Sequence, residues 1–411
     1  MKDNTQLSSI KGLDLGSGHM IKTILANGLI VTENEVLSNH YLVLQGEKIQ
    51  GVYPEDRIYE YGSTDRIIDC AGQYILPGLI DIHSDMIENI VVPRKGIVFP
   101  IPLALFEADR QLIGHGITTI FHSVSIANST ICNRKRTLSV SDMINIGDTI
   151  NELDKSLMIH HKFHARLEMN TLEAYDDVLL RVQQGQIHEL SLMNHTPGQG
   201  QYASLDVFKR EIAKQYGEIS ESQKDEIIRI CQNKPLLTSC QISQLLACAT
   251  SHGVPVAFHD VETEDQIRFM EQHQIQISEF PLNNPIAAKS AKKGLFNVVG
   301  APNILLNGSH NNNASATELL ELGYANIICS DYYSPSLLAS IFLLPKITHI
   351  SLPEAVNFAS LNPAHAVGID KKYGSITSGK NADLIVVNSD KDVPRVTLVF
   401  IDGSIQQQTI L

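Results

Sequence analysis

The stretch "PGLIDIHSDMIENI", Pro77–Ile90, sets an apolar, strand-like run directly beside acidic residues and a histidine. Asp81, His83 and Asp85 fall at alternate positions, and alternate residues of a strand project to one face. Ionisable side chains on one face are costly to bury unless something pairs with them. A divalent cation is the simplest partner for carboxylates beside an imidazole. The stretch therefore predicts a metal site on a buried strand.

The middle of the chain, from about residue 74 to residue 363, alternates short apolar runs with longer helical patterns. The runs that predict strands are "LIDIH", "TTIFHS", "KFHARLE", "ELSLMNH", "PVAFHD", "QISEF", "NVVGAP" and "NIICSD". Helical patterns such as "LALFEADRQLIGHG", "DEIIRICQN", "EDQIRFMEQHQ" and "SATELLELG" lie between them. Strand–helix alternation of this length favours an α/β fold, a TIM-like (β/α)₈ barrel, over a doubly wound open sheet.

The two ends of the chain have a different character from the middle. Residues 22–73 alternate apolar and polar residues, with turn signals at Asn27-Gly28 and Gly46, which predicts a small antiparallel β-sheet. The segment "YGSITSGKNADLIVVNSDKDVPRVTLVFIDGSI" repeats this character near the other end. Because chain termini often lie close together, we expect residues 1–73 and 364–411 to form one composite β-domain around a catalytic barrel of residues 74–363.

Ionisable residues recur at the C-terminal ends of the predicted strands. These residues are His83, Asp85, His122, Glu168, His195, His259, Asp260 and Asp331. In a barrel, all these ends converge on the face that carries active sites. One such histidine alone is more often structural, but repetition on several strands favours a metal site. Imidazole and carboxylate without thiolate suit Zn²⁺, Mn²⁺ or Fe²⁺, and a bridging carboxylate permits two ions about 3.5–4 Å apart.

Composition narrows the class of protein. The chain has 411 residues, of which 43% are hydrophobic, and a net charge of −13, which argues against nucleic-acid and membrane-surface partners. Its six cysteines show no C-x-x-C spacing, so a disulfide framework or zinc knuckle is not expected. No apolar run is long enough for a signal or a membrane span. These features predict a soluble, cytoplasmic protein.

Four segments, taken in order, resemble one known family. "PGLIDIHSD" resembles the first-strand signature of the amidohydrolase superfamily, with Asp85 in place of the usual second histidine. Together with "SLMNHTPGQGQY", "GAPNILLNGSH" and "SDYYSPSLL" it resembles the phosphonate-metabolism branch, the α-D-ribose 1-methylphosphonate 5-triphosphate diphosphatases, often called the PhnM family. The resemblance implies a metal-bearing barrel that hydrolyses a ribose 5-triphosphate phosphonate to the 5-phosphate and pyrophosphate.

The resemblance also implies roles for individual residues. The metal ligands that it implies are His83, Asp85, Glu168, His195, His259 and Asp331. Glu168 would bridge two ions, of which zinc is expected first and manganese or iron as alternatives. Asp331 would also handle the proton of the attacking water, which makes it the catalytic residue. The chain departs from the family pattern at Asn194 and His122, where acidic residues are expected.

Lys162 is an alternative bridge, because many relatives use a carbamylated lysine. It shares one face of the strand "KFHARLE" with Glu168 but precedes it by six residues, roughly 20 Å along a strand. Lys162 is therefore expected near the barrel floor, and Glu168 is the preferred bridge.

A triphosphate needs local positive charge, since the net charge of the chain repels it. Arg94 and Lys95 lie in the loop after the first barrel strand and are candidate substrate-binding residues. Ser309 and His310, in the segment "NGSH", would add backbone N–H groups and an imidazole. No P-loop or GxSxG motif is present, which excludes nucleotide-motor and serine-hydrolase classes.

Two other functions remain open at this stage. Another amidohydrolase, such as a phosphorylated amino-sugar deacetylase, would share the metal site but hydrolyse an amide. A catalytically dead scaffold would be expected to lack metal ligands, whereas this chain has a candidate on each required strand. For the enzyme we expect a small phosphorylated substrate as partner, and a homo-oligomer is compatible with the sequence.

Overall fold

Strands and helices alternate through the middle of the chain, and strands predominate at its two ends. The computed structural model describes residues 21–60, 65–128, 137–199, 202, 204–306, 314–391 and 393–410. Within these residues the strands are β1 (Lys22–Ala26), β2 (Leu29–Val31), β3 (Val36–Leu37), β4 (His40–Gln45), β5 (Lys48–Pro54), β6 (Arg66–Asp69), β7 (Tyr74–Pro77), β8 (Leu79–Ser84), β9 (Ile117–Ile126), β10 (His160–Glu168), β11 (Glu189–Met193), β12 (Val256–His259), β13 (Ile277–Glu279), β14 (Phe296–Gly300), β15 (Ile327–Cys329), β16 (Leu384–Asn388), β17 (Arg395–Ile401) and β18 (Ser404–Gln408).

The helices of the described residues fall mainly between the strands of the middle region. The α-helices are α1 (Met86–Val91), α2 (Ile101–Gly114), α3 (Val140–Leu153), α4 (Tyr175–Gln183), α5 (Leu205–Tyr216), α6 (Glu221–Gln232), α7 (Ser239–Ser251), α8 (Glu264–Gln272), α9 (Asn284–Lys292), α10 (Ala301–Leu305), α11 (Ala316–Glu321), α12 (Ser336–Ile347), α13 (Leu352–Asn357) and α14 (Leu361–Ala366). Short 3₁₀ helices are Glu55–Glu60, Asp154–Ser156 and Leu172–Ala174. The predicted helical patterns correspond to α2, α6, α8 and α11.

The eight strands β8 to β15 form the barrel. Each pairs in parallel with the next one in the chain. The last strand meets the first through Ser84 and Asp331, where the Asp331 N–H donates to the His83 carbonyl (3.0 Å) and the Asp85 N–H donates to the Asp331 carbonyl (2.8 Å). Each of the eight predicted runs overlaps one of these strands, so the predicted (β/α)₈ fold is confirmed.

Local sequence signals set where several helices begin. Five helices start at capping boxes: α3, α6, α7, α8 and α13. In each box the side chain of the N-cap Ser or Thr accepts a hydrogen bond from the backbone N–H of the third helical residue, and the side chain of that third residue accepts a hydrogen bond from the backbone N–H of the N-cap residue. The N-cap residues are Ser139, Ser220, Thr238, Thr263 and Ser351. These caps stabilise the helix ends that face the loops, while apolar side chains pack the helices on the barrel.

Strands from both chain ends meet beside the barrel, as predicted. One sheet has the order β18-β17-β16-β7-β2-β3 and so combines both ends, whereas the other, β5-β4-β1-β6, comes from the first part alone. The expectation of a single antiparallel sheet is wrong, because there are two sheets and the pairs β1–β6 and β2–β7 are parallel. Strand β7 belongs to the composite sheet. The boundaries at 73/74 and 363/364 stay a prediction.

Two smaller findings concern the cysteines and membranes. Cys70, Cys240, Cys248 and Cys329 are free, whereas Cys231 is disulfide-bonded, which the spacing of the cysteines did not predict. Across the described ranges, every helix is too short or too polar to cross a lipid bilayer.

Candidate metal centre

Unusual backbone geometry marks the C-terminal ends of three barrel strands. Asp260, Phe280 and Asp331 directly follow or lie just beyond β12, β13 and β15, and all three have positive φ angles, 56°, 51° and 55°. For residues other than glycine this left-handed conformation is uncommon, and strained residues of this kind are enriched at functional sites. Here it turns the chain sharply at the strand end, at the face where the ionisable side chains collect.

Three side-chain atoms from two neighbouring strands converge without hydrogen-bond partners. Asp260 Oδ2 lies 3.1 Å from His259 Nδ1 and 3.6 Å from His195 Nε2. Each of these atoms is buried and makes no hydrogen bond within the described part of the chain. Buried polar atoms are normally satisfied, so such a group is the kind of site that binds a cation. Two imidazole nitrogens and a carboxylate fit a divalent ion of the zinc class.

His83 lies next to this group and adds a second potential site. Its Nδ1–H donates to Glu279 Oε1 at 2.5 Å, which leaves Nε2 for a ligand, 3.9 Å from Asp85 Oδ1. The His83 and His259 ring centroids are 5.6 Å apart, and His83, His259 and Glu279 also form a group with metal-ligand spacing. Two adjacent metal positions are therefore compatible with the geometry.

Glu168 holds His195 in place with both carboxylate oxygens. Oε1 accepts from the His195 backbone N–H (2.9 Å), and Oε2 accepts from His195 Nδ1–H (2.7 Å). With Nδ1–H held by Glu168, Nε2 of His195 faces Asp260 and is the ring atom that would bind a metal ion. Burial lowers the pKa of His195, but Glu168 and Asp260 outweigh it and raise that pKa to about 9. The same negative field would stabilise a cation at this position.

Arg166 inserts its guanidinium between ligands of the two potential sites. Nη1 donates to Asp85 Oδ1 at 2.6 Å, and Nη2 lies 3.2 Å from His259 Nε2. The side chain is 9% exposed, so solvent screens its charge only weakly. Arg166 thus holds a fixed positive charge beside ligands of both potential sites, and a guanidinium is a suitable partner for a phosphate oxygen.

A buried polar chain beneath the ligands fixes Glu279. Ser191 Oγ donates to Glu279 Oε2 at 2.7 Å, and His164 Nε2 lies 2.6 Å from Ser191 Oγ. Burial lowers the pKa of His164 to about 3, so this imidazole is neutral. Despite burial, His83 holds the pKa of Glu279 well below its usual range. Glu279 is therefore an ionised, rigid partner of His83.

Asp331 lies at the closure of the barrel, next to the same ligands. Its backbone joins β15 to His83 and Asp85, and burial together with the charge of Asp85 raises the pKa of its carboxyl above the usual value. A carboxyl with a raised pKa is suited to accept a proton near neutral pH.

The structure brings together most, though not all, of the residues predicted from the sequence. His83, Asp85, Glu168, His195, His259 and Asp331 all lie at the C-terminal face of the barrel. Arg94 and Lys95 lie in an exposed turn after α1, in which the Ile97 N–H donates to the Arg94 carbonyl (3.0 Å). Ser309 and His310 fall outside the described residues.

The expectation that His122 belongs to this face is wrong. His122 is buried in the middle of β9, and its Nε2 lies 2.8 Å from His161 Nδ1, whose ring in turn contacts Asp109 on α2 (3.1 Å). His122 is near the end of the predicted run "TTIFHS", but β9 continues for four residues past it. His122 therefore lies well below the C-terminal end of this strand.

Asn194 has a role in the loop that carries His195. Its Nδ2 donates a hydrogen bond to Gln199 Oε1 (2.5 Å) and so helps to shape that loop.

Arg166 and Glu279 are site residues that the sequence did not reveal, and Asp260 was noted but given no role. Glu279 lies in the predicted run "QISEF" and is the last residue of β13, and an acid near a strand end is a signal that could have been used. Arg166 shares a strand face with Glu168, but its contact with Asp85 depends on a strand distant in sequence.

Comparison with known proteins now supplies the family. The profile of the amidohydrolase family matches residues 74–405. The chain belongs to the amidohydrolase family. It is 31% identical over 379 residues to the α-D-ribose 1-methylphosphonate 5-triphosphate diphosphatase of Escherichia coli (strain K12), covering 89% of this chain and 95% of that protein.

Solved amidohydrolase structures share the fold. The N-acetylglucosamine-6-phosphate deacetylase of Pasteurella multocida has a TM-score of 0.60 at 14% identity, over 94% of this chain and 100% of that chain. Molinate hydrolase has a TM-score of 0.65 at 12% identity, over 94% of each chain. Family membership and the ligand clusters together make this amidohydrolase a metal-dependent hydrolase.

Proposed function

We propose that this amidohydrolase cleaves α-D-ribose 1-methylphosphonate 5-triphosphate to the 5-phosphate and pyrophosphate in phosphonate utilisation. The observation that carries the proposal is similarity to the E. coli diphosphatase along almost the whole length of both chains. The site agrees with this reaction, because it combines candidate metal ligands with the buried guanidinium of Arg166, and both suit a polyphosphate. A cytoplasmic location and homo-oligomerisation stay predictions.

We assign two divalent ions, with zinc preferred, to the clusters described above. His83 and Asp85 would hold one ion, and His195, His259 and Asp260 the other. Glu168 would bridge them; its oxygens already contact His195, but each has a further lone pair for a metal. When bound, the ions supply positive charge that neutralises phosphate oxygens and makes a water nucleophile available near neutral pH.

The residues around the ions would orient the water and the substrate. Asp331, with its raised pKa, would accept the proton of the attacking water. Arg166 would contact an oxygen of the phosphate under attack. The departing pyrophosphate would be held by Arg94 and Lys95 together with Ser309 and His310. These contacts would place the anhydride bond between the α- and β-phosphorus over the site.

Product analysis on a substrate panel tests the proposal. Zinc-loaded protein is incubated with the ribose 5-triphosphate phosphonate, with ATP and with N-acetylglucosamine 6-phosphate, and products are followed by ³¹P NMR and acetate assay. We expect pyrophosphate from the phosphonate substrate, and a fall in kcat/KM of about a hundredfold or more in Asp331→Asn. Asp370→Asn, a change at a half-buried surface residue paired with His365, is the matched control. Acetate release without pyrophosphate would instead establish a deacetylase.

A further inference from the structure

A second group of metal-type ligands lies at the opposite end of the barrel. His160 is the first residue of β10, Asp383 immediately precedes β16, and Asp402 lies in the turn between β17 and β18. His160 is eight residues before Glu168 on one strand, which separates the two groups by about 26 Å. The group is thus distinct from the catalytic face and lies where the composite sheet meets the barrel floor.

The geometry of the group fits a cation. His160 Nε2 lies 3.0 Å from Asp383 Oδ2, and a carboxylate oxygen of Asp402 lies within 4.8 Å of both. Ligand atoms around a tetrahedral zinc ion are separated by about 3.3 Å, given bonds of about 2.0–2.1 Å. The His160–Asp383 pair, at 3.0 Å, already has nearly that spacing, and Asp402, within 4.8 Å, must approach by at most about 1.5 Å.

Asp383 has a buried oxygen that no hydrogen bond satisfies. Its side chain is 3% exposed, and Oδ1 accepts from the Asp402 N–H at 2.8 Å. Oδ2 and the facing His160 Nε2 are both buried and lack a hydrogen bond in the described chain. A buried carboxylate oxygen and a buried ring nitrogen that face each other without a hydrogen bond are costly, and a cation between them would satisfy both atoms.

Surrounding residues hold Asp402 in position to close the group. Asp402 has a φ of 45°, and Asn381 Nδ2 donates to its Oδ1 at 2.5 Å. Asn381 is itself fixed by Lys48 Nζ at 2.5 Å, a residue of β5. The Gly78 N–H donates to the Asp383 carbonyl (2.8 Å) and so ties the group to the link between β7 and β8.

We propose that His160, Asp383 and Asp402 bind a structural divalent transition-metal ion, of the zinc class, that fastens the composite sheet to the barrel floor. His160 is more than two hundred residues from Asp383 and Asp402, so an ion held by all three closes a long loop and stabilises the fold. The catalytic ions at the other face are not involved.

The simpler alternative is a plain His–Asp ion pair, and the chain offers a matched example. His365 Nε2 lies 3.2 Å from Asp370 Oδ2 near the surface, and among the described residues this pair belongs to no group of three with metal-ligand spacing. Asp370→Asn therefore breaks a His–Asp pair of the ordinary kind. Asp402→Asn removes the third ligand's charge, and asparagine tolerates the left-handed backbone at this position.

The test counts bound zinc in the full-length protein. Wild type, Asp402→Asn, His160→Asn and Asp370→Asn are stripped with chelator, saturated with Zn²⁺, freed of excess ion and analysed by plasma mass spectrometry. We expect Asp402→Asn and His160→Asn each to bind one equivalent less than wild type, with kcat/KM within about twofold, and Asp370→Asn to match wild type. Equal zinc in all four proteins would overturn the proposal.

A crystallographic measurement covers variants that fail to fold. Zinc-edge anomalous diffraction from zinc-saturated wild-type crystals should show a peak between His160 Nε2 and Asp383 Oδ2. No peak there at saturating zinc would overturn the proposal. The zinc analysis compares each variant with wild type. The expected loss of one zinc equivalent therefore does not depend on how many ions the catalytic face binds or on which substrate the enzyme hydrolyses.

Discussion

Asp260 supplies the negative charge that faces both His195 and His259 in the candidate metal centre. Its carboxylate faces two imidazoles, and despite burial these hold its pKa well below the usual range. Its left-handed backbone, directly after β12, aims the side chain at His195 as well as at the adjacent His259. The charge of Asp260 is therefore available to a cation at neutral pH.

Removing that charge should remove an ion. In Asp260→Asn we expect about one zinc equivalent to be lost and kcat/KM to fall by about a hundredfold, because a neutral amide is a weaker ligand. Asp265→Asn, on the exposed first turn of α8, is the control. Zinc analysis and steady-state kinetics of the two variants test this prediction. An Asp260→Asn protein with the full zinc content of wild type would show that Asp260 is not a metal ligand.

The proposed bridge makes a separate prediction for Glu168. Glu168→Gln keeps the volume and the contact with the His195 N–H but removes the charge that offsets two cations. Metal content should fall towards one ion or none, as measured by plasma mass spectrometry. Two tightly held ions in this variant would place the bridge elsewhere and leave Glu168 as a residue that only orients His195.

At the scale of elements, α3 packs on β10 through a glycine. A methyl group on Gly147 would overlap the Phe163 ring, which is fully buried. We expect Gly147→Ala to destabilise the protein by about 1–2 kcal/mol, because overpacking of about 1–3 kcal/mol outweighs the gain of up to about 1 kcal/mol in helix propensity. Urea unfolding measures this.

Gly114 provides the control for that measurement. It is the last residue of α2, and an added methyl would have only Gln407 in ordinary contact, at 3.8 Å. Gly114→Ala should be neutral or slightly stabilising. Similar destabilisation in both variants would show that the contact with Phe163 is not the cause.

The elements were predictable from sequence because their signals are local. Apolar runs and helical periodicity located all eight barrel strands, and position at a strand end identified His83, Glu168 and His195 as site residues. The length of a strand could not be predicted from local signals alone. Strand β9 extends past its predicted end, so His122 lies within the strand and not at its C-terminal end.

Contacts between distant strands were not predictable in the same way. Arg166 meets Asp85, and Glu279 meets His83, only because the barrel closes. The same applies to His160 with Asp383, which joins two regions more than two hundred residues apart. A single sequence carries no direct record of such pairs. The position of a residue at a strand end could therefore be predicted, but the residue that it contacts on another strand could not.

For the whole molecule, buried His122 makes stability depend on pH. Burial and the adjacent His161 hold the pKa of His122 well below its usual value, so the unfolded chain takes up a proton that the folded protein does not. Stability from this group is therefore present above the unfolded pKa, about 6.5, and is lost as pH falls below it. Between pH 7 and pH 5 the loss is about 2 kcal/mol.

Replacing His122 should remove that part of the pH dependence. In chelator, urea unfolding of His122→Asn should show a fall in unfolding free energy between pH 7 and pH 5 that is smaller than in wild type by about 2 kcal/mol. His349→Asn changes an exposed histidine and should behave as wild type. An unchanged pH slope in His122→Asn would mean that His122 is charged in the folded protein.

The bond that water breaks is the most direct test of the central claim. Zinc-loaded protein is allowed to hydrolyse the ribose 5-triphosphate phosphonate in ¹⁸O-labelled water, and the products are analysed by mass spectrometry. In the proposed arrangement Asp331 lies beside the metal ligands and the basic residues Arg94 and Lys95 hold pyrophosphate, so attack would fall on the α-phosphorus. The label should enter the 5-phosphate and not the pyrophosphate. Label in pyrophosphate, or no cleavage of this substrate, would contradict the account.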